Sequence, residues 1–319
     1  AEEGIYEGGD LVGKRGLERI REPDLRGEKG SSSTEVNASG FEQQQLKHED
    51  PLPGRDITLT IDAELQQAAE QYLAISDKAG AVVAMEVDSG RVLAAVSAPT
   101  IHLEDFIGGI SKKNWNALLE NPRNPLLNKA VQGVYPPGST YKIVTALAGL
   151  AEGVITEHTT LYCPGHYYFG RRLYRCWKHS GHGTVDVRRA ITESCDVFFY
   201  QTGQRLGVDR LAAYAKKRGL GTRSGIELEH EKAGIVPTKD WKRKRFKEKW
   251  HEGETLSVAI GQGFNNTTPL QICLMTMAIA NGGKIYQPQI VEMVKTTEGE
   301  IVEQLTPNLL SQLSSREQQ

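Results

Sequence analysis

Long apolar runs are missing from this sequence. No stretch of eighteen apolar residues occurs, so no segment reads as a membrane-spanning helix. An excess of one charge is missing too: 38 Lys+Arg face 40 Asp+Glu, a net charge of −2. That balance points neither to a nucleic-acid binder nor to an acidic tail. The opening residues "AEEGIYEGGDLVGKRG" lack the basic start and apolar core of a signal peptide, and they read like the middle of a longer protein. There is no internal repeat. Cysteine is scarce, with 4 residues unevenly placed. Cys163, Cys176 and Cys195 share one stretch, whereas Cys273 lies alone in the apolar "TPLQICLMTMAIA", where a buried core thiol is expected.

What is present is a 319-residue chain of ordinary apolar content, enough for one large domain and a smaller one. Residues 1–54 are rich in Gly, Glu, Ser and Gln and predict short strands and loops without an independent core. "PLPGRD" then punctuates the chain. "ITLTI" predicts a strand, with Asp62 placed to cap the helix "AELQQAAEQYLAI". Two apolar runs around Asp88-Ser89-Gly90 predict a β-hairpin, and "KKNWNALLENP" a polar helix. "VDVRRAITESCDVFFYQTGQRLG", "RLAAYAKKRGLG" and "LQICLMTMAIANGG" read as helices ending in glycine. "KIYQPQIVEMVKTTEGEIVEQL" predicts two strands around Glu298-Gly299. The basic run "KDWKRKRFKEKW" could form a nucleic-acid patch, but its acidic neighbours favour a solvated loop or helix face and no nucleic-acid partner.

The chemistry concentrates in "GVYPPGSTYKIVTALAGL". Pro136 and Pro137 stiffen the approach to a helix, and Gly138 permits a sharp turn. Ser139 stands at the helix start, and Lys142, three residues on, shares its face. Ile143, Val144, Leu147 and Leu150 supply an apolar side. A serine hydroxyl needs a base to become a nucleophile, and a lysine buried at the root of a cleft can lose its charge and serve. The helix N-terminus would stabilise the developing oxyanion. By itself Ser-x-x-Lys is a weak signal, compatible with a helix cap and a surface lysine; behind "YPPG" and before an apolar helix it is strong.

"YPPGSTYK" resembles the nucleophile motif of penicillin-binding proteins, whose signatures are S-x-x-K, S-D-N and K-T-G. "GKRGLERIREPDLRG", "DITLTIDAELQQ", "AVVAMEVDSGRVLAAVS", "GIELEHEKAGIVPT" and "IGQGFNNTTPLQ" look like blocks of the class B transpeptidases, in an order most similar to the elongation branch of rod-shaped Gram-negative bacteria. "TESCDVFFY" occupies the place of the second signature, giving Ser194 and Asp196; aspartate replaces the usual asparagine, as in that branch. Asp196 can pair with charged Lys142, and Ser194 can relay a proton between lysine and leaving group.

The resemblance implies an α/β (α+β) transpeptidase fold, an antiparallel sheet between helices. Residues 1–54 would be a remnant of a non-catalytic pedestal or dimerisation domain, and 55–319 a transpeptidase domain lacking its C-terminal strands and helix. K-[ST]-G is the signature not found: "VKTTEG" carries Thr297 where glycine is required, and its position matches a different strand. That expectation makes the fragment feeble or inactive while its parent is an acyltransferase. The implied function is peptidoglycan D,D-transpeptidation, with stem peptides and β-lactams as ligands and a membrane glycan polymerase and elongation scaffold proteins as partners. The implied location is periplasmic, on an inner-membrane anchor outside this chain. Alternatives are a D,D-carboxypeptidase or serine β-lactamase on the same scaffold, or a non-catalytic interaction module of the elongation machinery.

Cys163, Cys176, His182 and Cys195 form a complete tetrahedral ligand set for structural Zn2+, and no organic cofactor is expected. His166 and His179 are rival ligands; His182 is preferred because "GHG" makes a tight exposed turn. A Cys163–Cys176 disulfide or reduced structural thiols are the other readings. The resemblance also implies a comparable metal site in some members of the branch, which supports zinc as a scaffold anchoring the loop of Ser194 and Asp196.

Overall fold

The computed structural model describes residues 6–7, 9–39 and 41–313. The chain begins with two short helices, α1 (Gly16–Ile20) and α2 (Glu22–Leu25), and a hairpin of β1 (Ser31–Val36) and β2 (Glu42–Glu49). Strand β3 (Asp56–Leu59) leads to α3 (Ala63–Ser76), where the Asp62 side chain accepts from the Leu65 N–H, the cap its sequence predicts. The hairpin β4 (Gly80–Met85)–β5 (Val92–Ala98) follows, then α4 (Lys112–Glu120). A 3-10 turn over Gly138–Tyr141 feeds α5 (Lys142–Ala151). Four short strands come next: β6 (Leu161–Cys163), β7 (His166–Phe169), β8 (Arg172–Arg175) and β9 (Gly183–Val185). Helices α6 (Val187–Thr192), α7 (Asp196–Leu206), α8 (Val208–Lys216), α9 (Lys239–Phe246), α10 (Glu252–Ala259) and α11 (Pro269–Ala280) precede strands β10 (Lys284–Tyr286), β11 (Val291–Lys295), β12 (Ile301–Gln304) and β13 (Leu309–Gln312).

These elements form two compact units that do not follow chain order. One comprises residues through Ile61 together with 226–230 and 289–306; the other comprises 62–225, 231–288 and the chain from 307. In the first, β11 pairs with both β12 and β3. Ile290, Val291 and Val294 form its core with Leu17, Ile57, Ile61, Leu228 and Leu305. Arg21 is its polar clasp, donating to Glu303 and Glu227 at 2.8 and 2.9 Å, which raises its already high pKa further. The N-terminal segment holds two short helices beside the expected strands. Its lack of an independent core is made good by residues more than 160 positions away in sequence. "VKTTEG" falls on β11 and the turn after it, so Lys295 belongs to this sheet.

In the second unit the β4–β5 hairpin packs between α3 and α11, an antiparallel sheet between helices. Much of the buried remainder lies on helices or at their ends. Phe198, Phe199, Leu256 and Ile260 fill one core cluster, and Val144, Leu211, Leu220 and Met275 another. Three sequence expectations change here. Helix α5 is buried on almost every side, and Ile143, Leu147, Leu150 and Ala151 are its less buried positions; its neighbours α7 and α8 enclose it, as suits a helix that is mostly apolar all round. Cys273 is half-buried, lining an open groove of about 470 Å³ with Ala81, Val83, Pro137 and Thr276. The basic run forms α9 and is not wholly solvated: Lys242 is 2% exposed, bonds Glu254 at 2.5 Å, and its ammonium lies 5.9 Å from the centres of the Trp250 and Phe264 rings. Among the described residues no helix is long and apolar enough to cross a membrane.

Gly261 is the point where this helical core holds the Ser139 turn. Its carbonyl accepts from the Gly138 N–H at 2.9 Å, its φ is +72°, and a Cβ there would stand 2.1 Å from Gly138 O. Gly263, at φ +69°, has nothing nearer than 3.4 Å. Alanine at 263 therefore carries only the left-handed backbone cost, about 1 kcal/mol. Alanine at 261 adds a backbone overlap, for roughly 3 kcal/mol in all. Thermal unfolding of Gly261→Ala and Gly263→Ala should show a markedly larger fall in midpoint for the former; equal falls would refute this account of the turn.

Candidate active site

Ser139 is exposed in a 3-10 turn, held from behind by Tyr141, which is fully buried, and by Gly138 at φ +57°. The α-helix proper starts only at Lys142. The tighter turn leaves Ser139 free of any capping bond, and its hydroxyl instead accepts from Ser194 Oγ at 3.0 Å. Lys142 is 2% exposed. Its ammonium donates to Ser194 Oγ at 2.8 Å, Ser194 O at 2.9 Å and Asp196 Oδ1 at 2.6 Å, so all three donors are used. The four residues that the sequence singled out thus lie in one connected chain: Ser139, Ser194, Lys142, Asp196. Lys142 reaches Ser139 through the Ser194 hydroxyl.

That chain depends on a break in a helix. The pattern of "VDVRRAITESCDVFFYQTGQRLG" reads as one helix, but α6 stops at Thr192 and α7 starts at Asp196. Between them Ser194 takes φ +53°, a left-handed conformation that costs a non-glycine residue on the order of 1 kcal/mol or more. The kink turns both the Ser194 carbonyl and hydroxyl towards Lys142. Asp196, the first residue of α7, keeps its second oxygen for the Trp177 backbone N–H at 3.0 Å. Trp177 drew no attention in the sequence; its place directly after Cys176 was the one available signal.

Cys195, at the centre of this kink, is completely buried. With Cys163, Cys176 and His182 it forms a buried group whose potential ligand atoms all lie within 4.8 Å of one another. His182 Nδ1 stands 3.6 Å from Cys163 Sγ and 3.5 Å from Cys176 Sγ. A tetrahedral zinc with ordinary Zn–S and Zn–N bonds has an S···N edge of about 3.6 Å, so the donor set fits the ion in type, number and spacing. The cysteines are free thiols, not a Cys163–Cys176 disulfide. Hydrogen bonding from Cys195, with help from the backbone N–H groups of Lys178, Asp196 and Val197, pushes the Cys176 thiol far down; the same contact, with burial, pushes Cys195 up. His166 and His179 lie outside the group. His182 belongs to it, although its turn is buried rather than exposed as expected. Its Nε2 faces Glu193 Oε2 at 3.9 Å.

Buried ion pairs are poor net stabilisers but costly to break, because the surviving charge is stranded. Lys142→Met should lower stability by about 3 kcal/mol by isolating Asp196, while Lys142→Met with Asp196→Asn should recover most of it. Denaturant unfolding of both variants checks this, and a double variant no more stable than the single would contradict it.

Comparison with known proteins agrees with this geometry. A family model described as penicillin binding protein transpeptidase domain matches residues 80–318, and one described as penicillin-binding protein dimerisation domain matches residues 1–59. Peptidoglycan D,D-transpeptidase MrdA of Escherichia coli (strain K12) is 43% identical over 299 residues, 93% of this chain and 47% of that protein. The chain thus spans about half the length of the curated relatives it matches. The penicillin-binding protein (PBP2) solved in complex with MreC from Helicobacter pylori aligns at a TM-score of 0.86 and 36% identity, over 96% of this chain and 55% of that one. Penicillin-binding protein A from M. tuberculosis, solved as an imipenem acyl-enzyme complex, aligns at 0.72 and 26%, over 85% of this chain and 62% of that one. The sequence blocks, the fold and the Ser-x-x-Lys turn all lead to one family: this chain belongs to the penicillin-binding protein transpeptidases.

Proposed function

We propose that this chain carries the serine acyl-transfer site of a peptidoglycan D,D-transpeptidase. The observation that carries the reading is the connected path from exposed Ser139 through Ser194 to buried Lys142, backed by Asp196. Ser139 Oγ attacks the penultimate D-Ala carbonyl of a donor stem peptide. Its proton passes to Ser194 Oγ as the Ser194 proton passes to a neutral Lys142 amine, and the Asp196 carboxylate holds the ammonium that results. With Lys142 charged, the hydrogen bonds run from Lys142 to Ser194 to Ser139, the direction that returns a proton to the departing D-Ala amine. An amine of a neighbouring stem peptide then resolves the ester into a cross-link. β-Lactams would acylate the same serine, as the imipenem acyl-enzyme of the M. tuberculosis relative supports.

In this reading Cys163, Cys176, His182 and Cys195 hold a structural Zn2+, which ties β6, the β8–β9 loop and the start of α7 together. The ion would supply folding energy and no catalytic step. The MreC complex of the H. pylori relative supports an elongation scaffold protein as a partner, and the relatives' role supports a periplasmic setting on an inner-membrane anchor.

A fluorescent penicillin, resolved on a denaturing gel, tests the activity in the natural gene product that carries this chain. Label should be lost in Ser139→Ala and form roughly a hundredfold more slowly in Ser194→Ala, the scale of one acid–base group. Label retained by Ser139→Ala, or none on the unaltered protein, would overturn the proposal. Turnover of a stem-peptide donor that ignores added acceptor amine would instead identify a hydrolase on the same scaffold. For the metal, elemental analysis should find about one zinc per chain, falling towards zero in Cys163→Ser and His182→Ala with a lower unfolding midpoint. A metal-free chain that melts like the loaded one would remove zinc from the account.

A further inference from the structure

We propose that Trp177 is a positioning residue that clamps Ser194 and Asp196 against Lys142. The proposal rests on the acyl-transfer reading above. The side chain looks unremarkable at first, since Trp177 is 61% exposed. An exposed indole normally gives its N–H to water. Here it donates to Glu193 O at 3.0 Å and to Ser194 O at 3.1 Å, while the residue's backbone N–H donates to Asp196 Oδ2 at 3.0 Å.

These are the acceptors that matter. Ser194 O and Asp196 also receive two of the three Lys142 donors, at 2.9 and 2.6 Å. Trp177 therefore binds both groups through its own donors, and each is fixed by two partners rather than one. Two consequences follow. Ser194, strained at φ +53°, persists only if its surroundings over-determine it; the indole supplies one such constraint at the carbonyl of the strained residue. Asp196 has one oxygen for each partner, so its carboxylate cannot rotate away from Lys142 without losing the Trp177 N–H.

The far side of the indole is also held. Its ring meets His182 edge to face, with centroids 5.5 Å apart at 65°, and Cys176 precedes it in the chain. Trp177 is thus the one described residue that touches the Cys/His group through its ring and both Ser194 and Asp196 through its N–H groups. Loss of order in the cluster would reach the Lys142 site through it.

Two measurements on the natural gene product test this. The first needs no activity: hydrogen exchange of the Trp177 indole proton by NMR, assigned by its absence in Trp177→Phe. The clamp requires an exposed ring with a slowly exchanging N–H, and faster exchange after chelation of the metal. Exchange at the rate of a free indole would overturn the proposal, whatever the penicillin experiment gives. The second is the kinetics of penicillin acylation in Trp177→Phe, which keeps a ring against His182 and removes the donor. The acylation rate constant at saturation should fall about tenfold, the scale of one hydrogen bond, with unchanged penicillin affinity and metal content. A wild-type rate constant in Trp177→Phe would overturn it, as would a loss confined to penicillin affinity. Should Trp177→Phe not fold, the exchange measurement on the unaltered protein decides alone. Absence of label on the unaltered protein would count against acyl transfer, and the exchange rate would still decide whether the clamp exists.

Discussion

An ammonium group removed from water must find an acceptor for each of its protons, and the Lys142 ammonium finds all three within residues 194–196. Much of the local structure follows from that requirement. Three acceptors from so short a segment cannot converge on one point if the backbone stays helical, because a helix directs its carbonyls along its own axis and its side chains outward. The break between α6 and α7 and the positive φ of Ser194 are the geometric solution. Its strain has to be offset by anchors on either side. Cys195, buried among three other potential metal ligands, is one; α7, packed into the helical core by Phe198 and Phe199, is the other.

The Ser139 turn obeys a complementary constraint. In the proposed function a nucleophile must remain open to substrate while the base that serves it is shielded from water, and Ser139 and Lys142 lie only three positions apart. Placing Ser139 in a 3-10 turn and Lys142 at the start of a deeply buried helix separates their environments within a single turn of backbone. Tyr141, with no exposed surface, wedges the turn against the core, and the Gly261 carbonyl fixes Gly138 from the other side. The exposed serine is thus carried on a rigid base, and the Ser194 hydroxyl spans the boundary between wet and dry.

Some of this was legible in the order of residues. Motifs whose chemistry is local, such as Pro-Pro-Gly-Ser before an apolar helix or Asp62 before α3, state their role through side-chain type and short spacing alone. The Cys/His group was legible for a different reason: thiols and imidazoles are few, so a set of four suggests itself whatever the path between them. The single-helix reading of 185–207 failed because "TESCDVFFY" has helical periodicity throughout. Nothing in that periodicity registers three acceptors demanded by a lysine more than fifty positions earlier.

The sequence by itself therefore determined the family and singled out Ser139, Lys142 and the four potential metal ligands, since these depend on residue identity and not on how the chain packs. Only the tertiary structure decided that Lys142 reaches Ser139 by way of Ser194, that residues 226–230 and 289–306 complete the N-terminal unit, and that Trp177 touches the site at all. Such contacts join groups far apart in sequence, and some of them use backbone groups, such as the Trp177 N–H and the Ser194 carbonyl, which every residue carries alike. Their partners are chosen by how the chain packs, and no one-dimensional pattern records that choice.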